Sequence, residues 1–259
     1  MKKEYILFID SGFGGLSTLA ETYKILPRNF IYFADTKNAP YGKHTKKEIA
    51  NFLETAISSI SKKFYVKTVV LACNTATTSS VKFLRKTFPC ITIIGTEPAI
   101  ALASKYGYKS ILCLSTPATA KQKSFKTLKN KLVSNGEKIT THTLKDFAST
   151  IDEYFFAESI SSRFHLQKNL YKIKSLSKNC DSVVLGCTHY CLLASDIFRM
   201  TNLPIFDGNV GVARRVFDVC TKSEPVFNQK PSINFIFSQN LPGLKQKYIK
   251  IFKQILAKT

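Results

Sequence analysis

The chain has 259 residues, of which 44% are hydrophobic and 21% charged, so it can bury the cores of two ordinary domains. No apolar run approaches the ~18 residues of a membrane-spanning helix, and the first apolar run is too short for a secretion signal. We therefore expect a cytoplasmic protein with no membrane partner. The net charge of +21 fits binding to nucleic acid or another acidic surface. However, the lysines are spread along the chain without a nucleic-acid motif, which favours a lysine-rich solvated surface.

The seven cysteines favour reduced thiols over a disulfide framework, because their number is odd and no secretory signal accompanies them. Cys90, Cys113 and Cys180 lie beside apolar runs. Buried free cysteines are usually inert, so we predict that these three are core residues.

The first predicted strand, residues 5–9, runs directly into Asp10, Ser11 and three glycines in the four positions 12–15. This pattern predicts a tight turn into a helix, with backbone N–H groups directed at an anion. It is neither the dinucleotide-binding pattern nor a P-loop, so a carboxylate fits better than a pyrophosphate. Asp10 is either a functional group at the carboxyl end of its strand or a cap of the following helix.

Strands and helices alternate along the rest of the chain. Strands are predicted at residues 30–34, 68–71, 91–94, 111–114, 139–144, 182–185, 204–206 and 233–237. Helices are predicted after the capping box of Thr45 and Glu48, near 98–103, and at 115–132, 151–176, 210–220 and 244–255.

This alternation predicts an α/β protein with two doubly wound parallel-sheet domains. The pattern restarts after residue 98, and a Gly-containing turn at 207–209 indicates that the chain returns to the first domain. We therefore predict a discontinuous first domain, 1–96 plus 208–259, which carries Cys73. The second domain, 97–207, carries Cys187.

Residues 69–75 (Val-Val-Leu-Ala-Cys-Asn-Thr) and 183–189 (Val-Val-Leu-Gly-Cys-Thr-His) resemble each other, and their cysteines are 187 − 73 = 114 positions apart. A cysteine between a strand and a helix faces the positive end of the helix dipole, which favours its thiolate. Two such thiols across a cleft suit a reaction that needs a base on one side of a carbon and an acid on the other. The spacing of Cys187, His189 and Cys191 is poor for zinc or a redox dithiol, and no lysine is distinctively placed for a Schiff base.

Four segments in register resemble the signature segments of the glutamate racemases: residues 10–16, 33–36 with 40–42, 72–76 and 185–190. The resemblance implies two α/β domains related by pseudo-twofold symmetry, a site in the cleft between them and a homodimer. It also implies cofactor-independent racemisation of L- and D-glutamate, which supplies D-glutamate for peptidoglycan.

The resemblance implies roles for individual residues as well. Cys73 and Cys187 are the expected acid/base pair, and Asp10 and His189 are expected to tune the two thiols. The expected glutamate-binding residues are Asp10, Ser11, Tyr41, Gly42, Asn74, Thr75, Thr188 and His189.

Two positions depart from the family's pattern. Cys191 stands where the family usually has proline, from which we expect a change in loop stiffness and no loss of chemistry. Asp152 aligns with a glutamate of the family, and because Glu153 is adjacent, the sequence leaves open which carboxylate serves the site. The tail beyond about residue 208 matches only loosely.

Two other functions compete with this interpretation. An aspartate racemase or another two-cysteine racemase would keep the thiol pair and change the side pockets. A basic nucleic-acid-associated protein would use the net charge of +21, and its signature would be salt-dependent binding. An inactive scaffold is disfavoured because both cysteines keep their polar neighbours.

Overall fold

The computed structural model describes residues 3–144, 146–157, 159–223 and 231–258. The chain divides into two compact units, Met1–Thr96 with Asn209–Thr259, and Glu97–Gly208. Each unit holds one parallel sheet flanked by helices, which confirms the predicted α/β class. None of the described helices combines the length and apolar character that a bilayer crossing requires.

The strands are β1 (Glu4–Asp10), β2 (Asn29–Ala34), β3 (Tyr65–Leu71), β4 (Thr92–Gly95), β5 (Ser110–Ser115), β6 (Lys138–Thr143), β7 (Ser182–Gly186), β8 (Ile205–Phe206) and β9 (Ser232–Phe237). The helices are α1 (Leu16–Ile25), α2 (Lys46–Lys63), α3 (Asn74–Thr87), α4 (Ile100–Lys105), α5 (Pro117–Ala120), α6 (Lys123–Ser134), α7 (Phe147–Ala157), α8 (Ile160–Leu176), α9 (Thr188–Cys191), α10 (Ala194–Thr201), α11 (Asn209–Ser223) and α12 (Leu244–Lys258).

The sheet of the first unit has the strand order β4-β3-β1-β2-β9. Its central strands are apolar on both faces, as expected when helices cover both sides of a parallel sheet. On one face, Leu7 and Ile31 pack against Leu53 and Ile57 of α2. On the other, aromatic rings from β2 and β9 pack against Tyr248 of α12. This packing on both faces holds the carboxyl ends of the strands in place, and there β1 ends in Asp10 and β3 leads into Cys73.

The second unit has the strand order β6-β5-β7-β8. Strands β5 and β7 lie at its centre, with Ser115 paired to Gly186 at their carboxyl ends. A Cβ added to Gly186 would lie 3.0 Å from the carbonyl oxygen of Leu114, so a small residue keeps these two strands in register just before Cys187.

The capping box at the start of α2 is confirmed. The Thr45 hydroxyl accepts from the backbone N–H of Glu48, and the Glu48 carboxylate accepts from the backbone N–H of Thr45 at 2.7 Å. The two bonds satisfy donors that the first turn of a helix leaves unpaired.

Two predicted helices are each divided in the structure. The predicted helix 151–176 is wrong, because α7 ends at Ala157 and the Ser159 hydroxyl caps a new helix by accepting from Ser162 N. Apolar periodicity continues through such a break, whereas a serine that captures a backbone N–H starts a helix. The predicted helix 115–132 likewise divides into α5 and α6, and α4 begins at Ile100 and not at Pro98.

The three cysteines predicted as core residues lie in different environments. Cys113 is fully buried, and burial raises the pKa of its thiol to about 12, so it is inert at neutral pH. Cys180 is only half-buried, and Cys90 is exposed in the turn between α3 and β4, so the prediction is wrong for Cys90. An apolar run beside a cysteine does not reveal which side of a turn faces solvent.

Candidate functional site

Asp10 is buried at the carboxyl end of β1 and organises the turn that follows. Its Oδ1 accepts from Gly12 N at 2.8 Å and from Ser11 Oγ at 3.3 Å. Helix α1 begins only at Leu16, and its N-cap residue Gly15 makes no side-chain cap bond. These two bonds of Asp10 therefore go to the turn that precedes α1.

The backbone conformation at position 15 does not require glycine, because a φ of −66° is accessible to any residue. The close approach of neighbouring atoms does require it. A Cβ at this position would lie 2.7 Å from Asp10 Oδ2 and 2.8 Å from the Cβ of Ala72. The glycine thus lets the turn pack directly against the Asp10 side chain and against the segment that leads to Cys73.

Tyr41 forms a buried hydrogen bond with Asp35, the residue that follows β2. Its hydroxyl donates to Asp35 Oδ2 at 2.8 Å, and Asn38 Nδ2 lies 3.0 Å from both oxygens of the same carboxylate. Burial raises the pKa of Tyr41 well above its usual range, and the charges of Asp35, Cys73 and Asp10 add to this effect. Tyr41 is therefore a neutral phenol at physiological pH.

Gly42 follows Tyr41 in a short 3₁₀ turn at the same edge of the first unit. A Cβ added to it would meet no described atom within 4 Å. Packing therefore does not require glycine at this position, in contrast to Gly15.

Cys73 is the extended N-cap residue of α3, and its side chain is buried. Its carbonyl accepts from Thr77 N at 2.9 Å, and the Thr77 hydroxyl donates to Leu71 O at 3.2 Å. These bonds hold the passage from β3 into α3. Asn74 and Thr75, the first two residues of α3, are also buried, and Asn74 Oδ1 has no hydrogen-bond partner among the described residues.

Cys187 has the same local setting in the second unit. It is a buried, extended N-cap residue at the carboxyl end of β7, and its carbonyl accepts from Tyr190 N at 3.0 Å. The Cys191 thiol donates to the same carbonyl at 3.5 Å, so the position where proline was expected makes a backbone contact instead. Tyr190 packs its ring against Phe147, with ring centroids 5.1 Å apart.

His189 joins Cys187 to the carboxylate of Asp152. Its Nε2 forms an ion pair with Asp152 Oδ1 at 3.1 Å, and its ring lies beside the Cys187 side chain. Burial alone would lower the pKa of His189, but the negative charge of Asp152, together with the neighbouring Cys187, raises this pKa well above its usual value. The raised pKa favours the imidazolium form of His189 beside one of the two thiols.

Glu153, the adjacent carboxylate, lines a groove between α7 and α8 together with Lys168 and Lys172. Of the two adjacent carboxylates that the sequence leaves open, Asp152 is the one that contacts His189.

Several curated relatives are glutamate racemases. The enzyme of Clostridium botulinum (strain Alaska E43) is 38% identical over 221 residues, which cover 83% of each chain. The enzyme of Clostridium novyi is 34% identical over 255 residues, which cover 96% of this chain and 95% of the relative. This chain belongs to the glutamate racemase family. No protein-family model matches it.

Solved glutamate racemases share the fold at lower sequence identity. An isoform from Bacillus anthracis has a TM-score of 0.81 and 22% identity, covering 99% of this chain and 95% of its own. The Escherichia coli enzyme, solved with L-glutamate and the activator UDP-MurNAc-Ala, has a TM-score of 0.78 and 23% identity, covering 98% and 96%. At identities of 22% and 23%, these two structures show only that this chain has the same fold.

Polar residues that the sequence did not single out lie at the carboxyl end of β5. Ser115 is fully buried, and its Oγ has no hydrogen-bond partner among the described residues. Thr116 and Thr119 follow, with their hydroxyl oxygens 3.0 Å apart. The sequence could have indicated Ser115, because it is the last residue of a strand, and open α/β sheets place functional groups at the carboxyl ends of their strands.

Each unit therefore presents one buried thiol at the carboxyl edge of a parallel sheet, with hydrogen-bonding side chains around it. The first unit brings Asp10, Ser11, Tyr41, Cys73, Asn74 and Thr75 to that edge, and the second brings Asp152, Cys187, Thr188 and His189. In the described part of the chain, no group of three or more His, Cys, Asp or Glu residues is arranged to hold a metal ion.

Proposed function

We propose that this chain interconverts L- and D-glutamate without a cofactor, with Cys73 and Cys187 as the acid/base pair. The observation that carries the proposal is the matching position of the two thiols. Each is buried, follows a central parallel strand and forms the N-cap of a helix, in a chain that belongs to the glutamate racemase family.

In the proposed reaction, the thiolate of one cysteine removes the α-proton of glutamate and becomes a thiol. The thiol of the other cysteine donates its proton to the opposite face of the same carbon and becomes a thiolate. The roles exchange when the reaction runs in the other direction. The chemistry requires the two sulfur atoms to stand on opposite sides of the α-carbon.

His189 supports the role of Cys187 by charge. A positive charge beside a thiol favours the thiolate, so an imidazolium at His189 would help the Cys187 side chain to act as a base. Asp152 keeps the imidazole protonated and oriented. We propose that Asp10 is the corresponding polar partner of Cys73 in the first unit.

The remaining predicted residues are proposed to hold the substrate. The α-proton of an amino acid is very weakly acidic, so preorganised donors around the α-carboxylate must stabilise the developing carbanion. The buried hydroxyls of Thr75 and Thr188 and the backbone N–H groups near Gly42 are proposed as such donors, and Ser11 would join them by turning its hydroxyl from Asp10 to the substrate. The amide oxygen of Asn74 is an acceptor suited to the substrate ammonium group, because a buried acceptor needs a partner.

We infer further that the enzyme acts in the cytoplasm as a homodimer. Its D-glutamate would supply peptidoglycan synthesis, and therefore cell wall biogenesis and cell shape. The domains proposed to carry the two thiols are residues 1–96 plus 208–259 and residues 97–207. A pseudo-twofold relation of these domains would bring the cysteines to a shared cleft.

The test is to incubate the purified chain, without added cofactor, with L-glutamate, D-glutamate and then the two enantiomers of aspartate. Circular dichroism follows the loss of optical activity, and proton–deuterium exchange follows the α-position. Racemisation of glutamate from both directions is expected. Racemisation of aspartate alone would keep the chemistry and overturn the substrate, and inactivity on both would overturn the proposed function.

A further inference from the structure

Helix α8 exposes three large apolar side chains along one line. Ile160, Phe164 and Tyr171 are 88%, 67% and 63% exposed, and their spacing of four and seven residues places them on the same side of the helix. Leu166, Leu170 and Ile173 face the core of the unit instead. The helix therefore has a second apolar face, the α8 stripe, formed by Ile160, Phe164 and Tyr171.

Basic side chains surround the α8 stripe. Residues 159–180 contain no aspartate or glutamate, and their five basic residues are Arg163, Lys168, Lys172, Lys174 and Lys178, all of them exposed. At about 100° per residue, Lys168 and Lys174 lie about 60° to either side of the stripe, and Arg163 and Lys172 lie about 80° and 100° from it.

The acidic groups near α8 come from other segments of the chain. Asp146 and Glu153 share the groove between α7 and α8 with Lys168 and Lys172. On α10, Asp196 is paired with Arg199 at 2.7 Å. The helix itself thus presents apolar and cationic side chains in a chain whose net charge is +21.

We propose that the α8 stripe docks on an anionic lipid surface. Ile160, Phe164 and Tyr171 would enter the headgroup region, and the surrounding lysines and Arg163 would contact lipid phosphates. The net positive charge of the chain acts in the same direction at longer range. This contact is peripheral, and it revises the expectation from the sequence that the chain has no membrane partner.

Two other occupants fit the stripe less well. A nucleic acid would engage the cations but would leave Ile160, the most exposed of the three side chains, without an apolar partner. A second copy packed on the stripe by a twofold axis would oppose the same cations across the interface, which is unfavourable. An anionic bilayer matches both the charge and the apolar line.

The experiment is co-sedimentation of the full chain with phosphatidylcholine vesicles that either contain or lack phosphatidylglycerol. We expect binding to the anionic vesicles and weakening by salt. The triple variant Ile160→Ser/Phe164→Ser/Tyr171→Ser should reduce the partition coefficient at least about tenfold. Tyr106→Ser, which changes an aromatic ring that is 70% exposed outside α8, is the matched control and should bind normally.

A second readout uses the absence of tryptophan from the chain. Phe164→Trp introduces a single indole fluorophore, whose emission should shift to shorter wavelength with anionic vesicles and stay constant with neutral ones. Far-UV circular dichroism and glutamate turnover of all variants should match the parent, because the altered side chains are exposed.

Three results would overturn the proposal. Equal vesicle binding by the triple variant and the parent would assign the attraction to overall charge. A change in oligomeric state of the triple variant, measured by light scattering, would show that a second copy covers the stripe. An indole emission shift of the Phe164→Trp variant with duplex DNA but not with vesicles would assign the surface to nucleic acid.

Discussion

Asp152 Oδ1 lies 3.1 Å from His189 Nε2, so a carboxylate of α7 forms an ion pair with an imidazole that lies beside the Cys187 thiol. The arrangement links three side chains: Asp152 from α7, His189 from α9, and Cys187 from the junction of β7 and α9. It also explains how a buried histidine keeps its charge, because the nearby carboxylate outweighs the effect of burial on the pKa.

The first prediction concerns the charge of His189. Asp152→Asn should lower the pKa of His189, because it removes the carboxylate that opposes desolvation. Glu153→Gln, at the adjacent position in the groove of α7 and α8, is the control and should leave this pKa in place. Imidazole chemical shifts followed by NMR through a pH titration measure both variants, and an unchanged His189 pKa in Asp152→Asn would contradict the role given to the carboxylate.

The same pair predicts a pH dependence of stability. The folded-state pKa of His189 is raised, so its contribution to stability is fully present below about pH 6.5 and is lost as pH rises through the folded pKa. The free energy of unfolding of the parent should therefore fall relative to that of Asp152→Asn as pH rises through that range. Urea unfolding at a series of pH values measures the difference, and a constant difference would contradict a protonated His189.

The second prediction concerns Gly15. Gly15→Ala should displace the Asp10 side chain, destabilise the fold by about 1–3 kcal/mol and lower kcat/KM for glutamate by about 100-fold. Gly211→Ala is the matched control, because its Cβ would meet no described atom within 4 Å in α11. The control should keep full activity and gain roughly 0.5–1 kcal/mol from helix propensity. Normal kinetics of Gly15→Ala would show that the Asp10 contact is unimportant.

The third prediction concerns the buried pair of Tyr41 and Asp35. Tyr41→Phe should lower the free energy of unfolding by about 1–3 kcal/mol, because it leaves a buried carboxylate with one donor fewer. A double-mutant cycle with Asp35→Asn, measured by urea unfolding, should give a coupling free energy of about 1 kcal/mol or more. Additive effects would mean that the 2.8 Å contact contributes nothing to stability.

The fourth prediction concerns the cysteines themselves. Cys73→Ala or Cys187→Ala should lower racemisation at least about 100-fold in both directions, because each variant lacks the acid or the base on one side of the α-carbon. Cys90→Ala, which removes an exposed thiol, should be fully active. Polarimetry with each enantiomer measures the rates, and full turnover by either site variant would refute the two-thiol mechanism.

The strands and the two thiols were predictable because their signals are local. Residues 69–71 and 183–185 are β-branched or leucine, the composition of strands buried on both faces, and each run is followed by one small residue and a cysteine. The αβ alternation then fixes which edge of the sheet each cysteine occupies. The positions of the strands and of most helices needed no knowledge of long-range contacts.

Other features depend on geometry that the sequence does not encode locally. The choice between Asp152 and Glu153 depends on the rotation of α7, because adjacent helical residues point about 100° apart. The division at Ser159 depends on whether its hydroxyl captures Ser162 N, a competition that apolar periodicity does not report. The exposure of Cys90 depends on the direction in which the turn between α3 and β4 presents its side chains.

The most direct test of the central claim is the fate of the α-proton when glutamate is racemised in deuterium oxide. Two thiols on opposite faces predict that the product enantiomer carries deuterium from its first appearance, while the recovered substrate keeps its proton at early times. Proton NMR and mass spectrometry of the separated enantiomers measure both. Protium transferred into the product, together with deuterium in the recovered substrate, would indicate a single base and contradict the account.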